Sequence, residues 1–159
     1  MITPIRISIV LCLLLAVLGM PVIGQTTIYV APKDTPAYAN AQSLEDGQQK
    51  FAERTFHRAL TNAAEILNQP GEQNVVIAVA AGSFKGKAKQ GVWVLPQITN
   101  PDASLYILGG FSDDFRSRQP FTNLSALVTA EGRNGAFLQI TKRSQIKKMV
   151  ISGLILFIV

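Results

Sequence analysis

His57 is the single histidine of the 159-residue chain, and it falls on the polar face of a predicted helix, one turn from Glu53. Histidine suits proton transfer because its pKa lies near neutral pH. A general base must also lie within hydrogen-bond reach of a nucleophile or a substrate, and the sequence offers no Ser-His-Asp arrangement to supply one. We therefore interpret His57 as an exposed helix side chain.

Asp113 and Asp114 are adjacent carboxylates, and carboxylate oxygens are preferred ligands of calcium. Calcium usually needs more ligands than two neighbouring side chains that point in different directions. In a turn, aspartate commonly accepts hydrogen bonds from nearby backbone N–H groups instead. The sequence favours this turn-capping role over a metal site.

Glycoside hydrolysis needs two carboxyl groups that flank a bond in a cleft. The acids available among the predicted strands are Asp102, Asp113, Asp114 and Glu131, and nothing in their spacing selects a pair. A structural zinc site is excluded, because His57 is the only histidine and the only cysteine, Cys12, lies in a segment expected to be removed. The sequence thus predicts no catalytic, cofactor-binding or metal-binding residue.

Three aromatic residues, Trp93, Tyr106 and Phe111, could form a platform on which a sugar ring stacks. Aromatic residues at strand positions more often pack in a core or across strands, and we favour that interpretation. Asn123-Leu124-Ser125 matches the sequon for N-glycosylation, which has meaning only in an organism that glycosylates its exported proteins.

The formal net charge is +5, and much of it comes from two short basic clusters. Such clusters could attract nucleic acid or acidic glycans. We favour solvated loops that keep a strand-rich protein soluble and block edge pairing, and export argues against a nucleic-acid partner. The clusters are Lys85, Lys87 and Lys89, and Lys142, Arg143, Lys147 and Lys148.

Residues 1–24 have the three parts of a secretory signal peptide. Arg6 supplies the positive charge, residues 7–24 are apolar or small, and Val22 and Gly24 occupy the −3 and −1 positions of a cut before Gln25. An uncleaved membrane anchor is the alternative. Cleavage would leave a mature chain without cysteine, secreted or held at the cell surface, whose fold depends on packing rather than disulfides.

After this segment the pattern predicts a strand at 26–31, a loop at 33–47 and one amphipathic helix at about 47–68. Asp46 and Gln49 have the spacing of a capping box, and 68–71 supply a stop signal. The apolar face of the helix consists of Ala52, Phe56, Ala59, Leu60, Ala63 and Leu67.

From residue 74 onward the chain alternates apolar segments with turn residues, including Gly82-Ser83. One helix followed only by strands excludes a doubly wound α/β fold, which interleaves the two. An antiparallel sandwich and a parallel solenoid remain. The predicted strands are 75–80, 91–95, 105–108, 126–130, 136–140 and 149–157.

Three features favour the solenoid. Runs such as 75–79 are apolar at consecutive positions, as in strands that are covered on both faces. The helix could cap the first coil. The apolar run 149–159 is followed by no turn or polar tail, so we expect further coils beyond it.

Several segments follow one another in a recognisable order: a strand at 28–31, a helix at 51–67, strands at 76–84 and 105–115, a loop at 118–120 and a later strand at 150–154. In this order they resemble the entry strand, the capping helix, the first-coil and second-coil strands and a later rung of secreted right-handed parallel β-helix proteins, the pectate-lyase-like superfamily. Ser83-Phe84 stands where Thr-Tyr is usual in that family, 85–90 is an insert, and the tail 155–159 is unusually apolar.

After the signal peptide (1–24), the resemblance implies a mostly β fold in two parts: an N-terminal strand, loop and capping helix (25–73) and the first coils of the β-helix (74–159). It also implies a surface or extracellular protein that binds glycan or is structural, with polysaccharide as a possible partner. The alternative is a polysaccharide lyase or glycoside hydrolase whose catalytic residues lie in later coils.

Overall fold

The computed structural model describes residues 24–45, 49–85, 93–128 and 138–157. The predicted signal segment up to residue 23, with Cys12, lies outside these ranges, as do Asp46, Lys87, Lys89 and Glu131. The described elements are β1 (Gln25–Val30), α1 (Pro36–Leu44), β2 (Lys50–Glu53), α2 (Phe56–Leu67), β3 (Asn74–Ala80), β4 (Gly82–Lys85), β5 (Trp93–Leu95), β6 (Ser104–Phe111), β7 (Ser125–Val128), β8 (Leu138–Ile140), β9 (Lys148–Ser152) and β10 (Leu154–Phe157).

The strands form three sheets, and all the paired strands are parallel. The sheets have the orders β2-β1-β3-β6-β9, β10-β7-β4 and β5-β8. Among the described residues, one isolated bridge lies outside the ladders, and it joins Phe111 to Arg118 in antiparallel orientation. The structure is therefore mostly β with parallel sheets, and the antiparallel sandwich is wrong.

From β3 onward the chain visits the sheets in a fixed order: β3, β4 and β5, then β6, β7 and β8, then β9 and β10. The number of residues between paired strands of the first sheet varies. Asn74 pairs with Ser104, 30 residues on, and Ser104 pairs with Lys148, 44 residues on. This uneven spacing explains why the sequence shows no strict repeat.

The core lies between the sheets and contains columns of side chains in register. The clearest column is Ile28, Ile77, Ile107 and Ile151, one residue from each of four neighbouring strands. The first three are fully buried and belong to one apolar cluster with Phe84 and Leu127 of the second sheet and Trp93 and Leu95 of the third. Helix α2 packs against β1, β3 and β5 and adds Phe56, Leu60 and Leu67 to this cluster.

The last strand of each sheet leaves one core position open. Ile140, Ile151 and Leu156 pair in register with the buried Leu95, Ile107 and Leu127, yet they are 46%, 47% and 54% exposed. The core is thus closed by α2 at one end and open at β8, β9 and β10.

Both faces of β3 are covered, which accounts for its continuous apolar run. Val75, Ile77 and Val79 belong to the central core. Ala78 and Ala80 point the other way, into a second cluster with Ala37 and Ala41 of α1 and with Phe115.

The predicted loop at 33–47 is wrong, because it contains α1. Thr35 caps this helix: its Oγ1 accepts a hydrogen bond from the Tyr38 N–H at 3.2 Å, and Pro36 occupies the first turn. The two buried alanines of α1 pack on the sheet, so tertiary contact stabilises a segment with weak amphipathic patterning.

The predicted helix at 47–68 begins too early. Residues Lys50–Glu53 are strand β2, which pairs with Thr27–Val30 of β1. Gln49 precedes this strand, and its carbonyl accepts a hydrogen bond from the Thr27 N–H, so Gln49 does not lie in the first turn of a helix as the capping box requires; Asp46 lies outside the described residues. Thr55 is the actual N-cap of α2, while the predicted end at Asn68 is confirmed. No helix within the described ranges is long and apolar enough to cross a membrane.

Two strand predictions are also corrected. Gly82-Ser83, predicted as a turn, begins β4, which pairs with β7. The predicted strand 149–157 is two strands separated by Gly153, whose φ is +72°. This left-handed conformation breaks the run and moves the chain from the first sheet to the second.

Candidate functional site

A cleft of about 460 Å³ lies beside the start of α2. Its described lining comes from four separate segments of the chain: the residues after β1, the β2–α2 junction, β4 and β5. The lining residues are Pro32, Lys33, Arg54, Thr55, Phe56, His57, Arg58, Ser83, Phe84, Lys85 and Trp93.

Thr55 sets the geometry of the β2–α2 junction. Its backbone is extended, and its Oγ1 accepts a hydrogen bond from the Arg58 N–H at 3.3 Å. Only Arg54 and Thr55 separate β2 from α2, so Arg54, His57 and Arg58 all reach the same cleft.

Four basic side chains, those of Lys33, Arg54, Arg58 and Lys85, line the cleft, and no acidic residue is among its described lining. Arg58 forms an ion pair with Glu53 at 3.2 Å, and Lys33 lies 3.8 Å from Asp34. Within the described part of the chain, Arg54 and Lys85 make no ion pair. The cleft therefore has positive potential.

Glu53 is the acid nearest to this cationic group, and its side chain is only 13% exposed. Burial raises the pKa of its carboxyl group above the ordinary value of 4.5, and the Arg58 guanidinium opposes that rise. Glu53 stands in β2 rather than on the helix with His57, and its ion-pair partner is Arg58.

The floor of the cleft is apolar. Phe56 and Trp93 are each 2% exposed, and their rings meet edge to face with centroids 6.1 Å apart. Trp93 points into the core, whereas Tyr106 and Phe111 occupy the outer side of β6. Trp93 therefore packs in the core and Phe111 packs against the second cluster, and the three rings form no common platform.

His57 lies in the first turn of α2, is half-buried and lines the cleft. The prediction of a helix side chain is confirmed, but its environment is a basic cleft rather than open solvent. We assign it no acid–base role.

Asp114 caps a turn, as the sequence favoured. Its Oδ1 accepts hydrogen bonds from the Ser112 hydroxyl at 2.6 Å and from the Arg116 N–H at 3.1 Å. These hydrogen bonds, the hydroxyl first, lower the pKa of the exposed Asp114 carboxyl group. The backbone carbonyl of Asp113 accepts a hydrogen bond from Asn40 of α1.

The structure does not bring Asp102 close to Asp113 and Asp114, and Glu131 lies outside the described residues. Asp102 precedes the eight-residue strand β6, and Asp113 follows it, which separates them by roughly 25 Å along the strand. Retaining and inverting glycosidases hold their carboxyl groups within about 10 Å of each other. In the described ranges, no group of three or more His, Cys, Asp and Glu residues is placed to hold a metal ion.

The second basic cluster lies at the surface around the start of β9. Lys147 pairs with Glu72 at 3.2 Å, and the Lys148 Nζ lies 5.3 Å from the centre of the Tyr106 ring. Of the first cluster, Lys85 lines the cleft. The sequon residue Asn123 is half-buried, and its Nδ2 donates to the Gly110 carbonyl at 3.3 Å.

Sequence reasoning missed the cleft because its cations are distributed over three segments. Arg54 and Arg58 are four residues apart, but Lys33 and Lys85 approach them only through the pairing of β1, β2 and β3 and the turn into β4. No spacing in the sequence indicates this convergence.

Comparison with known proteins found no matching family model, curated protein or solved structure.

Proposed function

We propose that this chain contains the capped end of an exported right-handed parallel β-helix of the pectate-lyase-like kind, acting outside the cell or at its surface. In this proposal it serves as a rigid scaffold or as a glycan-binding protein. The observation that carries the proposal is the shared register of three parallel sheets visited in a fixed order.

The columns of stacked core side chains support the β-helix. A parallel β-helix places the same inward position of each coil directly above that of the next, and the column from Ile28 to Ile151 follows this pattern. The right hand follows from the strong preference of parallel crossovers for that chirality.

The two ends of the core support the assignment of a capped end. Helix α2 covers the first strands, as a terminal cap must. The half-exposed Ile140, Ile151 and Leu156 are positions that a further coil would cover.

The cleft at the capped end supports a binding role. It combines cations with an apolar floor and has the volume of an ordinary ligand site. The alternative, a polysaccharide lyase or glycoside hydrolase, places its catalytic residues outside the described part of this chain.

Binding and turnover assays with the full-length exported protein test the role. We expect saturable retention on a panel of immobilised polysaccharides or, for a pure scaffold, no retention, and in either case no release of reducing ends or unsaturated sugars. Release of such products would overturn the non-catalytic role in favour of the enzyme.

Export has a separate test. Expression of the full chain in a secreting host, followed by N-terminal sequencing of the exported protein, should give a chain that begins at Gln25. A protein that stays in the membrane fraction and still carries residues 1–24 would contradict cleavage and favour the uncleaved membrane anchor.

A further inference from the structure

We propose that the cleft beside α2 binds a ligand that carries an oxyanion (a carboxylate, phosphate or sulfate) on a compact apolar or ring-shaped body. This goes beyond the proposed function, because neither a scaffold nor the binding of a neutral glycan requires an anionic group.

The positive charge of the cleft is the first reason to expect an oxyanion there. Lys33, Arg54, Arg58 and Lys85 line one cavity, and only Arg58 and Lys33 have a carboxylate within 4 Å among the described residues. Cations gathered in this way repel one another, and a bound oxyanion relieves that repulsion. Guanidinium groups also present paired N–H donors that match carboxylate and phosphate geometry.

The apolar lining of the cleft is the reason to expect that the oxyanion is attached to an apolar or ring-shaped body. Pro32, Phe56, Phe84 and Trp93 form the apolar part of the lining, and the last three are at most 5% exposed. Because these three rings are already buried, the apolar surface left for a ligand is that of Pro32 and of the aliphatic stems of the cationic side chains. A ring could cover this surface while its anionic group met the cations at the rim. A volume of about 460 Å³ accommodates such a body.

The surrounding sheets and the start of α2 fix the backbone of the segments that carry Arg54, Arg58 and Lys85. Lys85 ends β4 in register with Val128 of β7, and Arg54 follows β2, which pairs with β1. The Thr55 cap fixes Arg58 on the first turn of α2. The segments that carry the charges are thus ordered before any ligand arrives, which limits the entropy lost on binding.

Trp93 supplies a direct measurement, because it is the only tryptophan in the chain and it lines the cleft. Two oxyanion probes, phenyl phosphate and galacturonate, are titrated into the full-length protein while Trp93 fluorescence is recorded. Their neutral counterparts, benzyl alcohol and galactose, are titrated in parallel.

We expect a saturable fluorescence change with at least one oxyanion probe, weakened by added salt, and a much weaker response to its neutral counterpart. Tighter binding of phenyl phosphate would indicate a phosphate-bearing ligand, and tighter binding of galacturonate would indicate a sugar acid. Equal binding of charged and neutral probes, or no saturable change with either oxyanion, would overturn the proposal. Equal binding of galactose and galacturonate would still leave a glycan-binding role intact.

A matched pair of double variants locates the site. Arg54→Gln with Lys85→Gln should weaken the oxyanion probe about tenfold, as expected for the loss of charge-assisted contacts at a partly exposed site. Arg116→Gln with Lys142→Gln removes the same formal charge at exposed positions outside the cleft and should leave the affinity unchanged. Equal weakening in both variants would show a general charge effect and contradict binding in the cleft. Thermal melts of both variants verify that each is folded.

Discussion

At the scale of single residues, the hydroxyl of Ser125 is a hydrogen-bonding centre in the buried interior. It is fully buried, its Oγ accepts from the Gly110 N–H at 2.8 Å, and it lies 3.0 and 2.9 Å from the carbonyl oxygens of Val79 and Ala80. One hydroxyl thereby joins β3, β6 and β7 where the chain leaves the first sheet. Its function is structural.

Ser125→Ala should lower the free energy of unfolding by about 1–3 kcal/mol, because it leaves the buried Gly110 N–H without its acceptor. Urea denaturation followed by circular dichroism measures the loss. Ser83→Ala, an exposed position on the neighbouring strand β4, is the control and should cost less than about 0.5 kcal/mol. Equal losses for the two variants would show that the hydrogen bonds of Ser125 contribute nothing.

The raised pKa of Glu53 leads us to expect that the free energy of unfolding depends on pH. Because its pKa is raised in the folded protein, the folded state binds a proton more tightly than the unfolded state does. The stability that this provides is complete below the ordinary pKa of 4.5 and is lost as pH rises through the higher folded value. Urea denaturation of the wild type and of Glu53→Gln across this range should show a smaller decline with pH in the variant. A decline of the same size in both proteins would contradict the shift.

At the scale of elements, two close backbones decide where the strand run 149–157 divides. A Cβ atom at Gly153 would lie 2.5 Å from the Gly109 carbonyl oxygen, and Gly153 has φ +72°. Both conditions favour glycine at this position: a side chain would clash with the Gly109 carbonyl, and residues with a Cβ rarely adopt this left-handed conformation. Arg118 reinforces the junction, since its Nε donates to the Gly109 carbonyl and its Nη2 donates to the Ser152 hydroxyl.

Gly153→Ala should therefore destabilise the protein by about 3 kcal/mol or more, the combined cost of a left-handed alanine and a backbone clash. Gly71→Ala is a matched control, because Gly71 has φ +87° but no atom within 4 Å of the added Cβ. The control should lose only about 1–2 kcal/mol. Similar losses in urea denaturation would mean that the close approach of residues 109 and 153 does not matter.

At the scale of the whole molecule, the stability of the core should fall toward its open end. Ile107 and Ile151 occupy the same column, but Ile107 is fully buried and Ile151 is 47% exposed. A side chain near the helix-covered end therefore buries more apolar surface than the side chain at the same position of the open end.

Ile107→Ala should cost about 2–5 kcal/mol of unfolding free energy, and Ile151→Ala about half as much or less, because less surface and a smaller cavity are involved. Chemical denaturation of the two variants at low protein concentration measures the ratio. Equal costs would show that Ile151 is covered in solution by a further strand that the described structure does not contain.

The sequence alone located most of the strands, the apolar face and end of α2, and the turn at Asp114, because each depends on neighbours a few residues away. Phe56, Ala59, Leu60, Ala63 and Leu67 are buried as their helical spacing predicted, whereas Ala52 belongs to β2. Tertiary structure decided that all the paired strands are parallel, that Lys50–Glu53 is a strand and that Pro36–Leu44 is a helix. It also gathered the cations of the cleft. The strand pairs join residues that are 23 to 49 positions apart, where burial against a distant partner outweighs local propensity.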